Sequence, residues 1–222
     1  MKGRFITIEG VEGVGKSTNI SYIERFLQAR DIKFISTREP GGTALAERIR
    51  DVLLDKAESS MDPVTELLLM FAARKQHTEE LIKPALARGD WVICDRYTDS
   101  SYAYQGGGRG LDSKTISRVE KLTLGSFKPD LTIVLDLPVR KGLARAGNRG
   151  ELDRFEIESE KFFKRVRATF LARAKTHKRY HVIDASRSLK TVQGRIGGAL
   201  ASIPALRKSA KIQVSNLGKD SG

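Results

Sequence analysis

Eight consecutive residues near the start of the chain could hold the phosphates of a nucleotide. The run GVEGVGKS fits the pattern G-x-x-x-x-G-K-[S/T] without a gap. Its glycines allow a tight turn whose backbone N–H groups point into one concavity, and a following helix adds its positive dipole end. Lys16 would contact the β- and γ-phosphates of ATP, and the Ser17 hydroxyl would coordinate Mg²⁺. The predicted ATP-binding residues are Gly10, Val11, Glu12, Gly13, Val14, Gly15, Lys16 and Ser17.

A phosphate-binding loop does not identify the group that accepts the phosphoryl group. GTPases, motor ATPases and small-molecule kinases all share this loop. A GTPase would carry a guanine-reading N-K-x-D string after a later strand, and the sequence contains none. With 222 residues, the chain is also short for a motor ATPase. These observations favour a small-molecule kinase.

Three further clusters could bind an acceptor. Arg38 to Gly42 (REPGG) follows the second predicted strand, and Asp95-Arg96-Tyr97 ends the third. Phe71 and Arg74 are three positions apart on a predicted helix, so that an aromatic plane and a guanidinium could meet one ligand. The polar residues just beyond the third strand are Ser100, Ser101, Tyr104 and Gln105.

The elements that must position these residues alternate along the chain. Short apolar strands are predicted at 4–9, 32–36, 91–95, 131–137 and 180–184. Helices are predicted at 17–30 and 44–54, and a helical run from Pro63 is expected to bend or restart at Pro84. Such alternation predicts an α/β fold in which a five-stranded parallel sheet carries helices on both faces. Ligands of these sheets bind beyond the carboxyl ends of the strands, where the polar clusters fall.

Other features of the pattern give finer predictions. The helix at 44–54 should turn Leu45, Ile49, Val52 and Leu53 inward, and a glycine-rich loop at 105–110 should separate two helical pieces. One kinase domain is expected over 1–204, with a flexible polar tail at 205–222.

The charge and cysteine content limit the classes of partner. Residues 1–137 hold 20 basic and 20 acidic side chains, so that the whole net charge of +13 arises in residues 138–222. That basic third could bind polyphosphate, attract nucleic acid or form a solvated surface, and charge alone does not decide.

A single cysteine, Cys94, allows no internal disulfide and fits a reducing cytoplasm. His77, His177 and His181 show no metal-binding spacing with one another or with Cys94.

Seven motifs in order give the chain a resemblance to the bacterial thymidylate kinases. They are GVEGVGKS, TREPGG, LMFAAR, DRYTDSSYAYQGGGRG, PDLTIVLD, RGELDRFE and VIDA. The resemblance covers about residues 3–201. It implies a nucleoside-monophosphate kinase fold, Mg²⁺-dependent phosphoryl transfer from ATP to dTMP, a role in dTTP biosynthesis, and a homodimer. The predicted long helix from Thr65 to Ile82 could supply the dimer surface.

The resemblance also implies roles for individual residues. Phe71 would stack on the thymine ring while Arg74 donates to its carbonyl. Arg96 would hold the acceptor phosphate, with Arg50 as a second candidate. Asp95 would hold the Mg²⁺ shell, directly or through water. The remaining predicted site residues are Glu12 at the sugar 3′-hydroxyl or the metal shell, Glu39, Ser100, Ser101 and Gln105 in the acceptor pocket, and Tyr104 against the sugar 2′ position.

Some thymidylate kinases carry a basic residue among the variable positions of the phosphate loop, and this chain does not. Those positions hold Val11, Glu12, Gly13 and Val14. A cation for the transition state must then come from elsewhere, and an arginine so delivered changes rates by orders of magnitude. The candidates flank a predicted lid at about 145–154. They are Arg149 as the main contributor, with Arg145 or Arg154 assisting.

Two alternative functions stay open at the level of sequence. One is a kinase of another small acceptor, such as a deoxynucleoside or a different monophosphate. The other is a P-loop ATPase or nucleic-acid-binding module that uses the basic C-terminal third. The second predicts ATP hydrolysis that DNA or RNA stimulates, with salt-sensitive binding.

Overall fold

A computed structural model describes residues 2–58, 60–146, 153–204 and 206. Within it, five strands form one parallel sheet in the order β2-β3-β1-β4-β5. The strands are β1 (Phe5–Glu9), β2 (Phe34–Arg38), β3 (Trp91–Asp95), β4 (Leu131–Asp136) and β5 (Tyr180–Asp184). The predicted fold class is therefore confirmed.

Helices connect the strands. They are α1 (Lys16–Gln28), α2 (Ala44–Leu54), α3 (Pro63–His77), α4 (Lys83–Ala87), α5 (Thr98–Ser101), α6 (Ser113–Leu124), α7 (Val139–Ala146), α8 (Glu160–Ala174) and α9 (Leu189–Ala201). A short 3₁₀ turn covers Lys56–Glu58, and wider π-helical turns cover Thr78–Ile82 and Tyr102–Gly108. None of the helices that the structure describes is both long and apolar enough to cross a membrane.

Register brings the polar motifs to one edge of the sheet. Strand β1 lies between β3 and β4, and its residue Ile8 pairs with Asp95. On the other side of β3, Arg38 pairs with the same Asp95. The strand order therefore reverses at β1, which is the position where such sheets bind ligands. The phosphate loop leaves the sheet at this point.

Two predicted features differ from the structure. The glycine-rich segment after Gln105 is not a loop that separates two helical pieces, because Tyr102–Gly108 continues from α5 as a π-helical turn. Its glycines are required by close packing. A Cβ on Gly108 would lie 2.4 Å from the Phe162 ring, and one on Gly107 would lie 2.2 Å from the Thr169 hydroxyl. The helical run from Pro63 continues without a break to Ala87, and Pro84 lies in the first turn of α4, directly after the π-helical turn Thr78–Ile82.

The inward face of α2 is also different from the prediction. Leu53 is buried, and Ala46 is the other buried residue of this helix. Leu45 and Val52 are each 46% exposed instead. Helix α3 packs against α2 and leaves Leu68 exposed as well. These two helices therefore keep apolar side chains at the surface.

Candidate active site

A cleft of about 250 Å³ opens beyond the carboxyl ends of β1, β2 and β3. The structure brings most of the predicted site residues together around it. Those that line the cleft are Glu12, Gly13, Gly15, Lys16, Ser17, Glu39, Arg50, Arg74, Asp95, Arg96, Ser100, Ser101, Tyr104 and Gln105. Arg38 and Pro40 of the predicted REPGG cluster line it as well. Lining residues to which the sequence analysis gave no role are Leu54, Met70, Asp153, Phe155 and Glu156.

The phosphate loop has the backbone that its glycines predict. Gly13 and Gly15 take positive φ values of 70° and 89°. A Cβ on Gly13 would lie 1.9 Å from the carbonyl oxygen of Gly142 in α7, so the loop packs directly against that helix. The side chains of Val11 and Val14 are buried in the core, which leaves only their backbone groups for a ligand. Gly15 gives the first turn of α1 no capping side chain, so its N–H groups stay available to an anion.

Lys16 lies over the concavity of this loop. Its Nζ is 3.5 Å from the carbonyl oxygen of Gly10. Burial, together with the nearby Arg96, lowers the pKa of Lys16 from its ordinary value. An anion with several negative charges would offset both effects, so the site is suited to a polyphosphate.

Arg96 joins the phosphate loop to the acceptor side. It has a left-handed backbone (φ 69°) that is unusual for a side chain of this size. Its guanidinium donates to the Gly10 carbonyl at 3.0 Å and to the Glu12 carboxylate at 2.9 Å. The Tyr104 hydroxyl donates to the same Glu12 oxygen at 2.5 Å. Burial alone would lower the Arg96 pKa, but Tyr104, Glu12 and other acidic groups raise it, so the guanidinium is a permanent cation.

Asp95 ends β3 beside the phosphate loop. Its Oδ1 is buried and has no hydrogen-bond partner among the described residues. Ser17 lines the same cleft. A carboxylate oxygen and a hydroxyl oxygen are hard ligands of the kind that Mg²⁺ prefers, so these two residues fit a magnesium ion.

Glu9 supports this region from beneath, and the sequence analysis did not indicate it. The carboxylate accepts from the Tyr97 N–H at 2.8 Å and from the Ser100 hydroxyl at 2.6 Å. Burial, with a smaller contribution from Asp99, raises the Glu9 pKa to about 8. Glu9 therefore holds the turn after β3 that presents Arg96.

A second buried network forms the far wall of the cleft. Arg74 donates to Glu39 at 2.6 Å, to the Ser101 hydroxyl at 2.9 Å and to the Tyr97 carbonyl at 3.1 Å. His77 contacts the other Glu39 oxygen at 3.0 Å. This arrangement fixes the guanidinium of Arg74 at the cleft.

His77 and Cys94 come close together, which their separation in the sequence did not predict. Ligand atoms of Glu39, His77 and Cys94 lie within 4.8 Å of one another. However, Glu39 already binds Arg74 and His77, and the Cys94 thiol donates to the Arg96 carbonyl at 3.0 Å. Burial raises the pKa of this thiol well above its ordinary value. We therefore interpret the cluster as a set of buried side chains that holds Arg74 and the backbone of Arg96 in place by hydrogen bonds.

Phe71 does not occupy the position that the prediction gave it. Its side chain is 1% exposed and packs in the core, outside the lining of the cleft. The Arg74 guanidinium covers its ring, 4.6 Å from the centroid. Met70, one position earlier, lines the cleft instead. The one-residue difference arises because a helix turns by about 100° per residue, so that neighbouring positions face different directions.

Arg50 reaches the cleft from α2 and donates to the Pro40 carbonyl at 2.8 Å. Burial, with the neighbouring Arg38, lowers its pKa. Arg38 and Arg50 therefore both line the cleft at the acceptor end. They add positive charge near Arg96.

The predicted lid arginines lie in three different situations. Arg145 is exposed in the last turn of α7, and Arg149 lies outside the described residues. Arg154 is 3% exposed and is absent from the cleft lining. Its guanidinium donates to Glu66 at 2.7 Å and to the Leu53 carbonyl at 2.9 Å. A side chain held this way anchors the segment, so the prediction that Arg154 supplies a transition-state cation is wrong.

Comparisons with known proteins agree with this site. The family model described as thymidylate kinase matches residues 8–196. The chain is 56% identical to a thymidylate kinase of Pseudomonas fluorescens over 204 residues, covering 91% of this chain and 97% of that protein. It is 57% identical to one of Teredinibacter turnerae over 201 residues, covering 90% and 98%. A crystal structure of thymidylate kinase from Ehrlichia chaffeensis matches with a TM-score of 0.73 and 32% identity, covering 90% and 99%.

Proposed function

Because this chain belongs to the thymidylate kinase family, we infer that it transfers the γ-phosphoryl group of ATP to dTMP and so forms dTDP and ADP. The observation that carries this inference is the cleft that the phosphate loop shares with Arg96 and Arg74. The attacking group is a phosphate oxygen that is already ionised at neutral pH. No general base is needed, and catalysis consists of positioning and charge neutralisation.

On the donor side, the backbone N–H groups of the phosphate loop and Lys16 would bind the β- and γ-phosphates. We propose that Ser17 and Asp95 hold Mg²⁺, which is supported by the unpartnered Asp95 oxygen at this position. The ion would neutralise charge on the transferring phosphoryl group. Asp95 is at the end of a rigid strand, so that its carboxylate needs little rearrangement to act as a ligand.

On the acceptor side, the residues divide between the phosphate, the sugar and the base. Arg96 would bind the dTMP phosphate with its planar fork of donors, and Arg50 would assist. Glu12 is held by Arg96 and Tyr104, and its carboxylate would serve the sugar 3′-hydroxyl or the metal shell. Tyr104 itself would crowd the 2′ position and so favour deoxyribose.

Two side chains could read the edge of the thymine ring. Arg74 offers guanidinium donors to a ring carbonyl. Gln105 has an amide oxygen, Oε1, without a hydrogen-bond partner among the described residues, and this oxygen could accept from the ring N3–H. Met70, Ser100 and Ser101 complete the surroundings of the base. Stacking by Phe71 is no longer part of the proposal.

The phosphate loop has no basic residue in its variable positions, so another cation must neutralise the transition state. We assign this role to Arg149, with Arg145 assisting from the end of α7. Arg154 would instead hold the base of the lid through Glu66. A lid that closes over both substrates also keeps water from accepting the phosphoryl group.

We propose a homodimer whose contact surface includes α3, which covers most of the helix that the sequence indicates, and its neighbours α2 and α6. The exposed apolar side chains of α2, α3 and α6 include Leu45, Val52, Val64, Leu68 and Leu122. Sedimentation of the wild-type protein beside a Leu68→Lys variant tests this assembly. A dimer that the variant dissociates is expected, and a wild-type monomer would contradict it. The prediction of a cytoplasmic location remains a prediction.

A label-transfer experiment tests the function. ATP labelled on the γ-phosphate is incubated with Mg²⁺ and either dTMP or thymidine, with a Lys16→Ala variant as control. Label in dTDP, lost in the variant, is expected. Label in dTMP formed from thymidine would indicate a nucleoside kinase instead. Label released only as free phosphate, and faster with DNA or RNA, would indicate an ATPase.

A further inference from the structure

Glu66 is a fully buried carboxylate in the first turn of α3, and the mechanism above uses it only as the partner of Arg154. It is 0% exposed and does not line the cleft. Its Oε1 accepts from the Gln105 side-chain amide at 2.7 Å. Its Oε2 accepts from Arg154 at 2.7 Å and from Arg109 at 3.3 Å. One buried carboxylate therefore contacts both Arg154, at the end of the predicted lid, and Gln105, which lines the cleft.

The contact with Gln105 fixes the direction of an amide. A carboxylate that pairs with arginines accepts hydrogen bonds and has none to donate. Gln105 must therefore turn its NH₂ group toward Glu66. Its Oε1 is then directed away from Glu66. This oxygen is buried and has no partner among the described residues, and Gln105 is one of the residues that line the cleft. The buried carboxylate determines that the cleft receives an acceptor here and not a donor.

We propose that Glu66 is a positioning residue that sets base specificity by orienting Gln105. The proposal rests on the function proposed above. Thymine carries a donor, N3–H, at the edge of its ring, whereas cytosine carries an acceptor at the same nitrogen. A Gln105 that is locked with its oxygen toward the cleft accepts from the first base and meets a lone pair of the second. Buried polar groups left unpaired in this way discriminate strongly between related substrates.

Replacing Glu66 by glutamine should reverse the amide and not merely release it. Arg154 and Arg109 both donate to the Oε2 position, so the new side chain must place its oxygen there. Its NH₂ group then faces Gln105, whose oxygen must turn to meet it. Gln105 would present its own NH₂ group to the cleft, which suits the cytosine N3 and opposes the thymine N3–H.

The test compares dTMP with 5-methyl-dCMP, which keeps the methyl group and the sugar phosphate. The measured quantity is kcat/KM for dTMP divided by kcat/KM for 5-methyl-dCMP. Both values come from one preparation, so their ratio is independent of the folded fraction. For Glu66→Gln we expect this ratio to fall about tenfold or more relative to wild type. A merely structural role would lower both kcat/KM values equally and leave the ratio unchanged.

Two further comparisons sharpen the test. Glu80→Gln makes the same substitution in an exposed pair in which Gln76 donates to Glu80 at 2.6 Å, and its ratio should equal that of wild type. In a Gln105→Met background, Glu66→Gln should not lower the ratio further, because Glu66 acts through Gln105. A second fall of the same size in that background would overturn the proposal.

The remaining outcomes separate this proposal from the function on which it rests. A wild-type enzyme that does not phosphorylate dTMP would overturn both. A wild-type enzyme that prefers dTMP, beside a Glu66→Gln variant with an unchanged ratio, would overturn the role of Glu66 alone. If Glu66→Gln does not fold, Glu66→Asp keeps the charge beside Arg154 and withdraws the carboxylate from Gln105. Its ratio should fall about threefold or more, and an unchanged ratio would contradict the proposal.

Discussion

The two halves of the cleft are built in different ways. The donor half consists of one continuous loop, and the groups that would bind phosphate are mostly its backbone N–H groups. The acceptor half consists of buried side-chain pairs whose partners are far apart in the chain. Glu39 and Arg74 are 35 positions apart, Glu12 and Arg96 are 84 apart, and Glu66 and Arg154 are 88 apart.

This difference separates two kinds of recognition. A local loop with fixed backbone geometry recognises what all nucleoside triphosphates share, which is a chain of phosphates. Side chains held by ion pairs from several elements can recognise one particular base and sugar. Substitutions in the donor half should therefore lower activity with every acceptor. Substitutions in the acceptor half should instead change the substrate preference or the free energy of unfolding.

The largest effect is expected for Gly13→Ala in the phosphate loop. The new Cβ would lie 1.9 Å from the Gly142 carbonyl, at a φ of 70° that alanine rarely adopts. Loss of the loop geometry should lower kcat/KM for ATP by about a thousandfold. Gly194→Ala in α9 is the matched control, since no atom lies within 4 Å of its Cβ. Steady-state assays of both variants check this, and a Gly13→Ala enzyme within tenfold of wild type would contradict it.

The next effect distinguishes two arginines of the predicted lid, Arg149 and Arg154. Arg149→Ala should lower kcat by about a hundredfold or more and leave stability unchanged. Arg154→Met should instead lower the free energy of unfolding by about 3 kcal/mol, because it leaves Glu66 buried without its closest cationic partner. Urea unfolding and turnover rates of both variants check the contrast. If Arg149→Ala kept the turnover rate of wild type, Arg149 would not be the cation that neutralises the transition state.

Arg96→Lys tests whether the acceptor phosphate needs a planar fork. A lysine cannot donate to the Gly10 carbonyl, to Glu12 and to a phosphate in one fixed geometry. We expect kcat/KM for dTMP to fall about fiftyfold, with a smaller change in the apparent affinity for ATP. Varying each substrate in turn measures both quantities. Equal losses for ATP and dTMP would show that Arg96 does not belong to the acceptor half.

The last effect concerns the pH dependence of stability, and it is the smallest when counted per pH unit. The Glu9 pKa is raised from 4.5 to about 8, chiefly by burial. The folded state therefore holds this proton more strongly than the unfolded state, and the resulting stabilisation is full below about pH 4.5 and is lost as the pH rises to about 8. Relative to Glu9→Gln, the wild-type protein should lose up to about 1.4 kcal/mol of stability per pH unit in this window. If the free energies of unfolding of the two proteins change equally with pH across this window, the raised Glu9 pKa is contradicted.

The same contrast explains which features could be predicted from the sequence. The strands Trp91–Asp95 and Tyr180–Asp184 and the helix Ala44–Leu54 match their predicted bounds, because continuous apolar runs and helical spacing are local signals. The geometry of the phosphate loop is local for the same reason. The sequence could also place Asp95 and Arg96 at the cleft, since they end a strand.

The errors arise where tertiary packing decides. The sequence cannot show that Met70 and not Phe71 faces the cleft, because both are apolar neighbours on one helix. Nor does it show that Arg154 binds Glu66, a partner 88 positions away. Glu9 and Glu66 were missed because buried carboxylates look like surface residues in a sequence. Only a signal for contacts between distant positions could have found them.

The most direct test of the account measures ADP release from ATP and Mg²⁺ across a panel of nucleosides and nucleoside monophosphates, in wild type and in Lys16→Ala. We expect the highest kcat/KM with dTMP, and loss of the reaction with every acceptor in the variant. A different preferred acceptor would contradict the assignments in the acceptor half and leave the phosphate loop intact. ADP released at the same rate without any acceptor would contradict the account as a whole.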